Sequence, residues 1–194
     1  MRSLLKQLAF TLALVLVLPA WISFLLKRAV LGADRALMSS TQTLSLVPGL
    51  LGHFVRRAFL WLVLDDCATS VTVEFGTTFS KTDARLGEHV YIGPYCSLGS
   101  VVLERDVLLA PSVHIPSGPD THGTANPDIP IREQPGRLRT VHIGAGTWIG
   151  TGAIVLDDVG ANSVIAAGAV VTAPVPGHVV AGGVPARVLK ERRR

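Results

Sequence analysis

The sequence predicts an all-β domain, a parallel β-helix with one extended loop, preceded by a hydrophobic membrane helix and an amphipathic helix. Three observations predict it: an uncharged run near the N-terminus, a helical stripe of apolar residues after it, and a six-residue period of aliphatic residues through most of the remainder. The composition agrees, because 48% of the 194 residues are hydrophobic and only 16% are charged. We divide the chain into a membrane-associating segment, residues 1–65, and a β-helix domain with a C-terminal basic tail, residues 66–194.

The first element is the run from Leu8 to Leu26, which has 19 residues and no charge. As a helix it would extend about 28 Å, close to the thickness of a bilayer's hydrocarbon core. We interpret it as a retained membrane helix. A cleaved signal peptide is the alternative because Arg2 and Lys6 precede the run, but no clean small-residue cleavage site follows it. Pro19 near its middle also allows a kinked or re-entrant insertion.

The second element is the segment "LLGHFVRRAFLWLVL", which has the pattern of an amphipathic helix. His53, Arg56 and Arg57 lie off its apolar stripe. We expect this basic helix to lie at the membrane interface, with packing on the globular domain as the alternative. The stripe consists of Leu51, Phe54, Val55, Ala58, Phe59, Leu62 and Val63.

Charge and cysteine content exclude some classes of function. The net charge is +4, but the basic residues gather in the amphipathic segment and in the ending "ARVLKERRR", which does not indicate nucleic-acid binding. Cys67 and Cys96 form neither a disulfide framework nor a metal-type spacing, which favours a reducing compartment.

The third element is a six-residue repeat that begins near Leu86. Each unit opens with an aliphatic residue, commonly followed by Gly, and has a small or β-branched residue four positions on. Such a repeat is typical of a parallel β-helix, in which one short strand per unit turns at the polar positions and the aliphatic side chain fills the interior. The aliphatic positions are Leu86, Ile92, Leu98, Leu103, Leu109 and Ile115, then Ile143, Ile149, Val155, Ile165 and Val171.

A long insertion, "IPSGPDTHGTANPDIPIREQPGRLRT", interrupts the repeat from Ile115 to Thr140. A loop of this length inside a compact domain is usually functional or disordered. Its several Pro and Gly residues limit its freedom without giving it regular structure. We therefore expect a shaped loop around its single histidine, His122.

The repeat, the segment "VHIGAGTWIGTGAIV" and the ending "VIAAGAVVTAPVPGHVVAGGVPARVLK" resemble the hexapeptide-repeat acyltransferases, in particular the O-acetyltransferase branch of galactoside, maltose and exopolysaccharide acetyltransferases. The resemblance covers roughly residues 71–190. It implies a left-handed β-helix that works as a homotrimer, with active sites between subunits. The general rule for parallel crossovers would instead predict a right-handed connection.

The resemblance implies that His122 is the catalytic residue. The family's catalytic histidine lies on the loop after an "AP-x-V" segment, which Ala110 and Pro111 begin here, although the spacing to His122 is somewhat longer and Ser112 replaces a frequent Asn. Transfer of an acetyl group to a hydroxyl needs a base to take the hydroxyl proton, and a histidine suits that role near neutral pH.

The other five histidines provide alternatives to His122. His114 and His142 flank the loop and could face the same cleft, so either is a candidate for the base or its assistant. We expect the remaining three, His53, His89 and His178, to be solvated polar residues.

The resemblance also implies where acetyl-CoA binds. The pantetheine arm would follow stacked small residues, and basic residues near the C-terminus would pair with the phosphates. Any tight coil also favours small residues, so those positions are not specific by themselves. The predicted donor-binding residues are Trp148, Thr151, Ala167, Thr172, Arg187 and Lys190, and we expect Arg192, Arg193 and Arg194 to form a solvated or lipid-seeking tail.

The expected function is therefore acetyl-CoA-dependent O-acetyl transfer, without a metal, to a saccharide hydroxyl of an envelope or exopolysaccharide precursor. The domain would face the cytoplasm, held to membrane lipid by the N-terminal segment. One alternative is a non-catalytic membrane-tethered scaffold. A γ-type carbonic anhydrase is the other, but no two histidines show its His-x-x-x-x-His spacing.

Overall fold

The computed structural model describes residues 2–192, with side chains from residue 8 onward. The predicted roles of the side chains of Arg2, Lys6, Arg193 and Arg194 therefore lie outside the described residues. Three helices come first: α1 (Arg2–Leu31), α2 (Ala33–Ser45) and α3 (Gly49–Val63). The polar stretch that contains α2 was not predicted to be helical.

Short strands form the rest of the domain. They are β1 (Asp66–Cys67), β2 (Thr72–Val73), β3 (Thr78–Phe79), β4 (Arg85–Leu86), β5 (Tyr91–Ile92), β6 (Ser97–Leu98), β7 (Val101–Leu103), β8 (Leu108–Leu109), β9 (His114–Ile115), β10 (Val141–Ile143), β11 (Trp148–Ile149), β12 (Ile154–Val155), β13 (Val164–Ile165), β14 (Val170–Val171), β15 (Val179–Gly182) and β16 (Arg187–Glu191).

The strands stack into a three-sided prism of about six turns, a left-handed β-helix. Face A contains β1, β4, β7 and β10; face B contains β2, β5, β8, β11, β13, β15 and β16; face C contains β3, β6, β9, β12 and β14. All pairs are parallel except β15 with β16. The fold class is confirmed, and the general right-handed rule is wrong for this chain.

The core is a set of inward columns, one on each face. On face B the column runs Val73, Ile92, Leu109, Ile149, Ile165, and every member is fully buried. Paired strands place like residues in register, so each aliphatic side chain stacks on the one below.

The prism begins one coil earlier than the sequence period indicated. Cys67, Val73 and Phe79 are buried, six residues apart, and form the inward positions of the first coil. Cys67 precedes the sequence repeat that begins near Leu86, yet it is the first inward residue of the prism. The signal was weak because a thiol and an aromatic ring replace two of the three aliphatic residues.

Helices α2 and α3 close the open end of the prism. The Thr41 hydroxyl donates to the Phe79 carbonyl and accepts from the Phe79 N–H, both at 3.2 Å, so α2 satisfies an exposed strand edge. Arg56 is only 3% exposed and donates to the carbonyl oxygens of Val73 at 2.9 Å and Val47 at 2.7 Å. The structure shows the alternative for α3, packing on the first coil, and Arg56 is buried there instead of lying on a solvated polar face. Contact of the remaining surface of α3 with a membrane stays a prediction.

Helix α1 forms an outer layer on α2 and α3. Phe24 packs edge-on against Phe59 with ring centroids 5.9 Å apart, and Phe10 packs against Trp61 at 6.0 Å. The helix is continuous through Pro19, so no hairpin reverses there. Its other side is exposed and apolar, and residues 8–31 are long and apolar enough to cross a membrane by length and composition.

Candidate functional site

The long loop leaves the prism at the edge between faces C and A, after β9, and returns to β10. Its two legs run beside each other: Arg139 N–H donates to the Ser117 carbonyl at 2.9 Å, and Arg137 N–H donates to the Asp120 carbonyl at 2.6 Å. The buried Ser117 hydroxyl also accepts from Ser100 N–H at 2.9 Å. Backbone bonds therefore join the two legs, and the Ser117 hydroxyl fastens the loop root to the coil beneath it.

Two glycines let the legs meet at His122. A Cβ on Gly136 would lie 2.6 Å from the His122 nitrogen and closer still to the Thr121 carbonyl oxygen, and a Cβ on Gly123 would lie 2.6 Å from the Pro135 carbonyl oxygen. Real side chains cannot occupy those positions without moving the backbone. The backbone of His122 is thus positioned by direct contact with the returning leg.

The outer part of the loop is folded around one buried amide. Gln134 donates to the carbonyl oxygens of Asn126 at 2.7 Å and Ile129 at 2.8 Å, and it accepts from Asn126 N–H at 3.1 Å. A glutamine can make these bonds simultaneously because its amide both donates and accepts. The expectation of a shaped loop is met by hydrogen bonding as well as by proline.

An ion-pair clamp holds the returning leg to the next coil. Arg139 Nη2 lies 2.6 Å from Asp157 Oδ1 and 2.7 Å from Asp158 Oδ2. The hydrogen bond from Arg139 holds the pKa of the Asp157 carboxyl below its ordinary value, despite partial burial. The pair stays ionised near neutral pH and fixes the loop against face A.

The loop overhangs face C and encloses a groove of about 410 Å³. Both His114 and His122 line this groove, and both are exposed. His142 lies on face A and is not among the groove residues, so the expectation that it shares the cleft is wrong. The lining consists of Ser80, Lys81, Ser97, Gly99, His114, Pro116, Ser117, Thr121, His122, Leu138 and Ile154.

One groove residue connects the site to the helical cap. Lys81 Nζ lies 2.7 Å from the Asp34 carboxylate on α2, and Thr82 N–H donates to the same group at 3.1 Å. Burial pushes the pKa of Asp34 up, but these hydrogen bonds outweigh it and hold the pKa below its ordinary value. The lysine charge is therefore neutralised at the edge of the groove.

The predicted donor-binding residues lie on several surfaces of one chain. Thr151 and Ala167 occupy the edge between faces B and C on successive coils, and both are exposed. Thr172 follows β14 at the edge that carries the loop. The other three are exposed on face B, where Trp148 lies on β11 and Arg187 and Lys190 lie on β16.

Burial makes both cysteines poor nucleophiles. It raises the pKa of the Cys67 thiol to about 12, and it also raises the pKa of Cys96. Cys96 Sγ donates to the Ala110 carbonyl at 3.3 Å inside the prism. Within residues 2–192 no three His, Cys, Asp or Glu side chains come close enough together to hold a metal ion.

No family model matches the chain, but its sequence is similar to those of several acetyltransferases. Galactoside O-acetyltransferase of Escherichia coli (strain K12) is 36% identical over 95 residues, covering 47% of this chain and 44% of that protein. WbbJ of the same strain, provisionally named a lipopolysaccharide biosynthesis O-acetyl transferase, is 30% identical over 125 residues, covering 60% of this chain and 61% of that protein. The chain thus spans less than two thirds of these relatives.

Solved structures extend the likeness to the fold. A maltose O-acetyltransferase from Clostridium difficile 630 superposes with a TM-score of 0.69 at 22% identity, over 83% of this chain and 89% of that one. The chain is thus similar in sequence to O-acetyltransferases and shares the fold of one of known structure. A mutant of AntD, an N-acyltransferase from Bacillus cereus, was solved with coenzyme A and dTDP-4-amino-4,6-dideoxyglucose; it has a TM-score of 0.55 and 19% identity, over 64% and 71% of the two chains.

Sequence reasoning missed part of the groove that the hexapeptide repeat itself encodes. Ser97 and His114 each precede an inward aliphatic residue, and strand pairing places them in register on the outside of face C, followed by Ile154. The six-residue period could have identified this outward column. Lys81 with Asp34 could not have been found, because their contact depends on how α2 caps the prism.

Proposed function

We propose that this protein is an O-acetyltransferase that moves an acetyl group from acetyl-CoA to a hydroxyl of a saccharide. The observation that carries the proposal is the groove on face C, where the loop brings His122 over a wall of a hexapeptide-repeat prism. The relatives are named for acetyl transfer to galactoside and in lipopolysaccharide biosynthesis, and AntD was solved with coenzyme A. We place the acceptor among envelope or exopolysaccharide precursors.

The proposed mechanism is direct transfer with His122 as general base. Its imidazole takes the proton of the acceptor hydroxyl as that oxygen attacks the thioester carbonyl, and coenzyme A leaves as the thiol. Backbone N–H groups near the groove would stabilise the tetrahedral oxyanion. His114, on the floor of the same groove, is placed to hydrogen-bond the acceptor. The raised pKa values of Cys67 and Cys96 argue against an acyl-enzyme.

A homotrimer is part of the proposal. Within one chain the loop projects from the C–A edge, whereas Thr151 and Ala167 lie at the B–C edge and Arg187 and Lys190 on face B. A neighbouring copy would bring the donor edge of one prism beside the loop of another, in a closed cyclic arrangement. Light scattering of the detergent-solubilised protein should give three chains per particle, and a strictly monomeric active enzyme would contradict this.

Membrane association through residues 1–65 completes the proposal, with residues 66–194 as the catalytic domain facing the cytoplasm, where acetyl-CoA is available. The exposed apolar side of α1 supports it. Full-length protein should fractionate with membranes, and a freely soluble full-length protein would contradict the attachment.

The function is tested by incubating full-length protein with acetyl-CoA and a panel of free and lipid-linked saccharides. We expect release of coenzyme A only with an accepted saccharide, and a product whose mass increases by one acetyl group. A thermal-shift titration with coenzyme A separates the enzyme from a non-catalytic scaffold, because a ligand that binds the folded state stabilises it. A protein with neither stabilisation nor product would be a scaffold.

A further inference from the structure

A cavity of about 920 Å³ lies between α1, α3 and the prism, at the edge between faces A and B. Its helical side combines the apolar Phe10, Leu50 and Phe54 with the polar Thr11, His53 and Arg57. Its prism side is polar and consists of residues 69–72 of the first coil and His89 of the second. The catalytic groove lies on face C, so the two sites are separate.

Arg57 lies in the wall of this cavity and has no ion-pair partner among the residues whose side chains the structure describes. The guanidinium carbon of Arg57 is 5.3 Å from the ring centre of Phe10 and 4.9 Å from that of Phe54, so two aromatic faces hold it. Its Nε is buried and has no hydrogen-bond partner among the described residues. The one described cavity residue that pairs with a carboxylate is His53, which lies 2.8 Å from Glu74, so that carboxylate is already engaged.

A partly buried arginine without a partner lowers the stability of the fold unless an anion binds to its guanidinium group. Burial lowers the pKa of Arg57, which reflects the lost hydration of its charge. A bound phosphate would compensate for the lost hydration, because a guanidinium donates two parallel hydrogen bonds to phosphate oxygens. The polar side of the cavity adds the hydroxyl of Ser70, which accepts from His89 N–H at 2.9 Å.

The apolar surroundings indicate where that phosphate comes from. Helix α1 contributes Phe10 to the cavity, and its opposite side exposes Leu8, Leu12 and Leu16. Leu50, at the start of α3, is also 75% exposed at the cavity. A ligand with a phosphate head and long hydrocarbon chains fits both the guanidinium group and the apolar residues of the cavity. A free phosphate would leave those apolar residues exposed to water.

We infer that this cavity binds the phosphate head of an anionic membrane phospholipid, with Arg57 pairing the phosphate and the acyl chains lying against Phe10 and Leu50. The bound lipid anchors the domain against the bilayer and takes no part in acetyl transfer, since it occupies a different edge of the prism from the loop. The inference stands whether or not the proposed acetyl transfer is correct.

The experiment uses full-length protein in detergent, with vesicles of phosphatidylcholine alone or mixed with phosphatidylglycerol. Flotation measures vesicle binding, and native mass spectrometry measures the phosphatidylglycerol that stays bound after detergent exchange. Arg57→Gln removes the proposed phosphate partner. Arg28→Gln is the matched control, because Arg28 is an exposed arginine of α1 that does not line the cavity.

We expect wild type and Arg28→Gln to retain phosphatidylglycerol in preference to phosphatidylcholine, and Arg57→Gln to lose that preference by about tenfold or more. Leu50→Trp should block the cavity while leaving every charge in place, which keeps the test valid if Arg57→Gln unfolds. Equal losses in the two arginine variants, or full binding by Leu50→Trp, would overturn the inference. Stabilisation by inorganic phosphate alone as large as that by phosphatidylglycerol would overturn the lipid assignment.

Discussion

A small substitution at Gly136 should displace His122. Replacing the glycine by Ala adds one methyl group, whose carbon would lie 2.6 Å from the His122 nitrogen. Ordinary contacts of this kind begin near 3.4 Å. The methyl also meets the carbonyl oxygen of Thr121, so it cannot be relieved by rotating a flexible side chain. Relieving the contact with the His122 nitrogen alone requires the two legs to separate by about 0.8 Å, and the closer contact with the Thr121 carbonyl oxygen requires more.

That displacement falls directly on the residue proposed to remove the acceptor proton. A misplacement of about 1 Å in a catalytic group costs on the order of 10²-fold in rate. We therefore expect Gly136→Ala to lower kcat by about 10 to 100-fold. Five of the six predicted donor-binding positions lie away from the edge that carries the loop, and only Thr172 shares it, so the affinity for coenzyme A should stay near the wild-type value. Because the loop lies outside the prism core, the midpoint of thermal unfolding should change little.

The assay follows release of coenzyme A with the acceptor that supports turnover, alongside calorimetric titration of coenzyme A. Thr124→Ala is the control, since Thr124 is exposed two residues beyond His122 and loses atoms instead of gaining them. Wild-type turnover in Gly136→Ala, in a protein whose His122 variant is inactive, would refute the conclusion that contact between the two legs positions the base.

Three further predictions concern the cap, the cysteines and the tail. Arg56→Ala should lower the free energy of unfolding by about 2 to 4 kcal/mol, because it leaves buried carbonyl oxygens without donors; an unchanged denaturant midpoint would contradict the capping role. Cys67→Ser and Cys96→Ser proteins that fold should keep their turnover, and loss of activity with Cys96→Ser would instead support a covalent route. Replacing Arg187 and Lys190 together by Ala should weaken acetyl-CoA binding by about 1 to 3 kcal/mol, measured by titration, and unchanged affinity would remove both from the donor site.

The repeating part of the fold was predictable because each coil makes the same contacts with the next coil, at a fixed spacing along the sequence. Each inward aliphatic residue, such as Ile92 or Ile149, recurs at a fixed spacing and stacks on the same position of the next coil. Handedness was a different matter, because nothing in the period of the residues determines it, and it came only from the family resemblance.

The helical cap could not be predicted, because its contacts depend on the shape of the prism end. The pattern of α3 was correctly assigned as amphipathic, yet the buried Arg56 looked like a solvated charge. Only the unpaired carbonyl oxygens of the first coil and of the chain after α2 explain why an arginine lies there. A basic residue next to an apolar stripe carries no signal that separates a lipid surface from such a cap.

The loop falls between these cases. Its length and His122 indicated a functional site, but the groove needed the tertiary structure to separate His114, which lies in it, from His142, which faces another side of the prism. The clamp from Arg139 to Asp157 joins the loop to the following coil and is equally invisible to periodicity.

The most direct test of the account compares turnover in His122→Asn and His114→Asn proteins with acetyl-CoA and an accepted saccharide, while calorimetry measures coenzyme A binding in both. We expect His122→Asn to lower kcat by about 10² to 10⁴-fold with donor affinity and unfolding midpoint unchanged, and His114→Asn to have a smaller effect. Near-normal turnover in His122→Asn would contradict this expectation, and a loss confined to His114→Asn would assign the base to the floor of the groove.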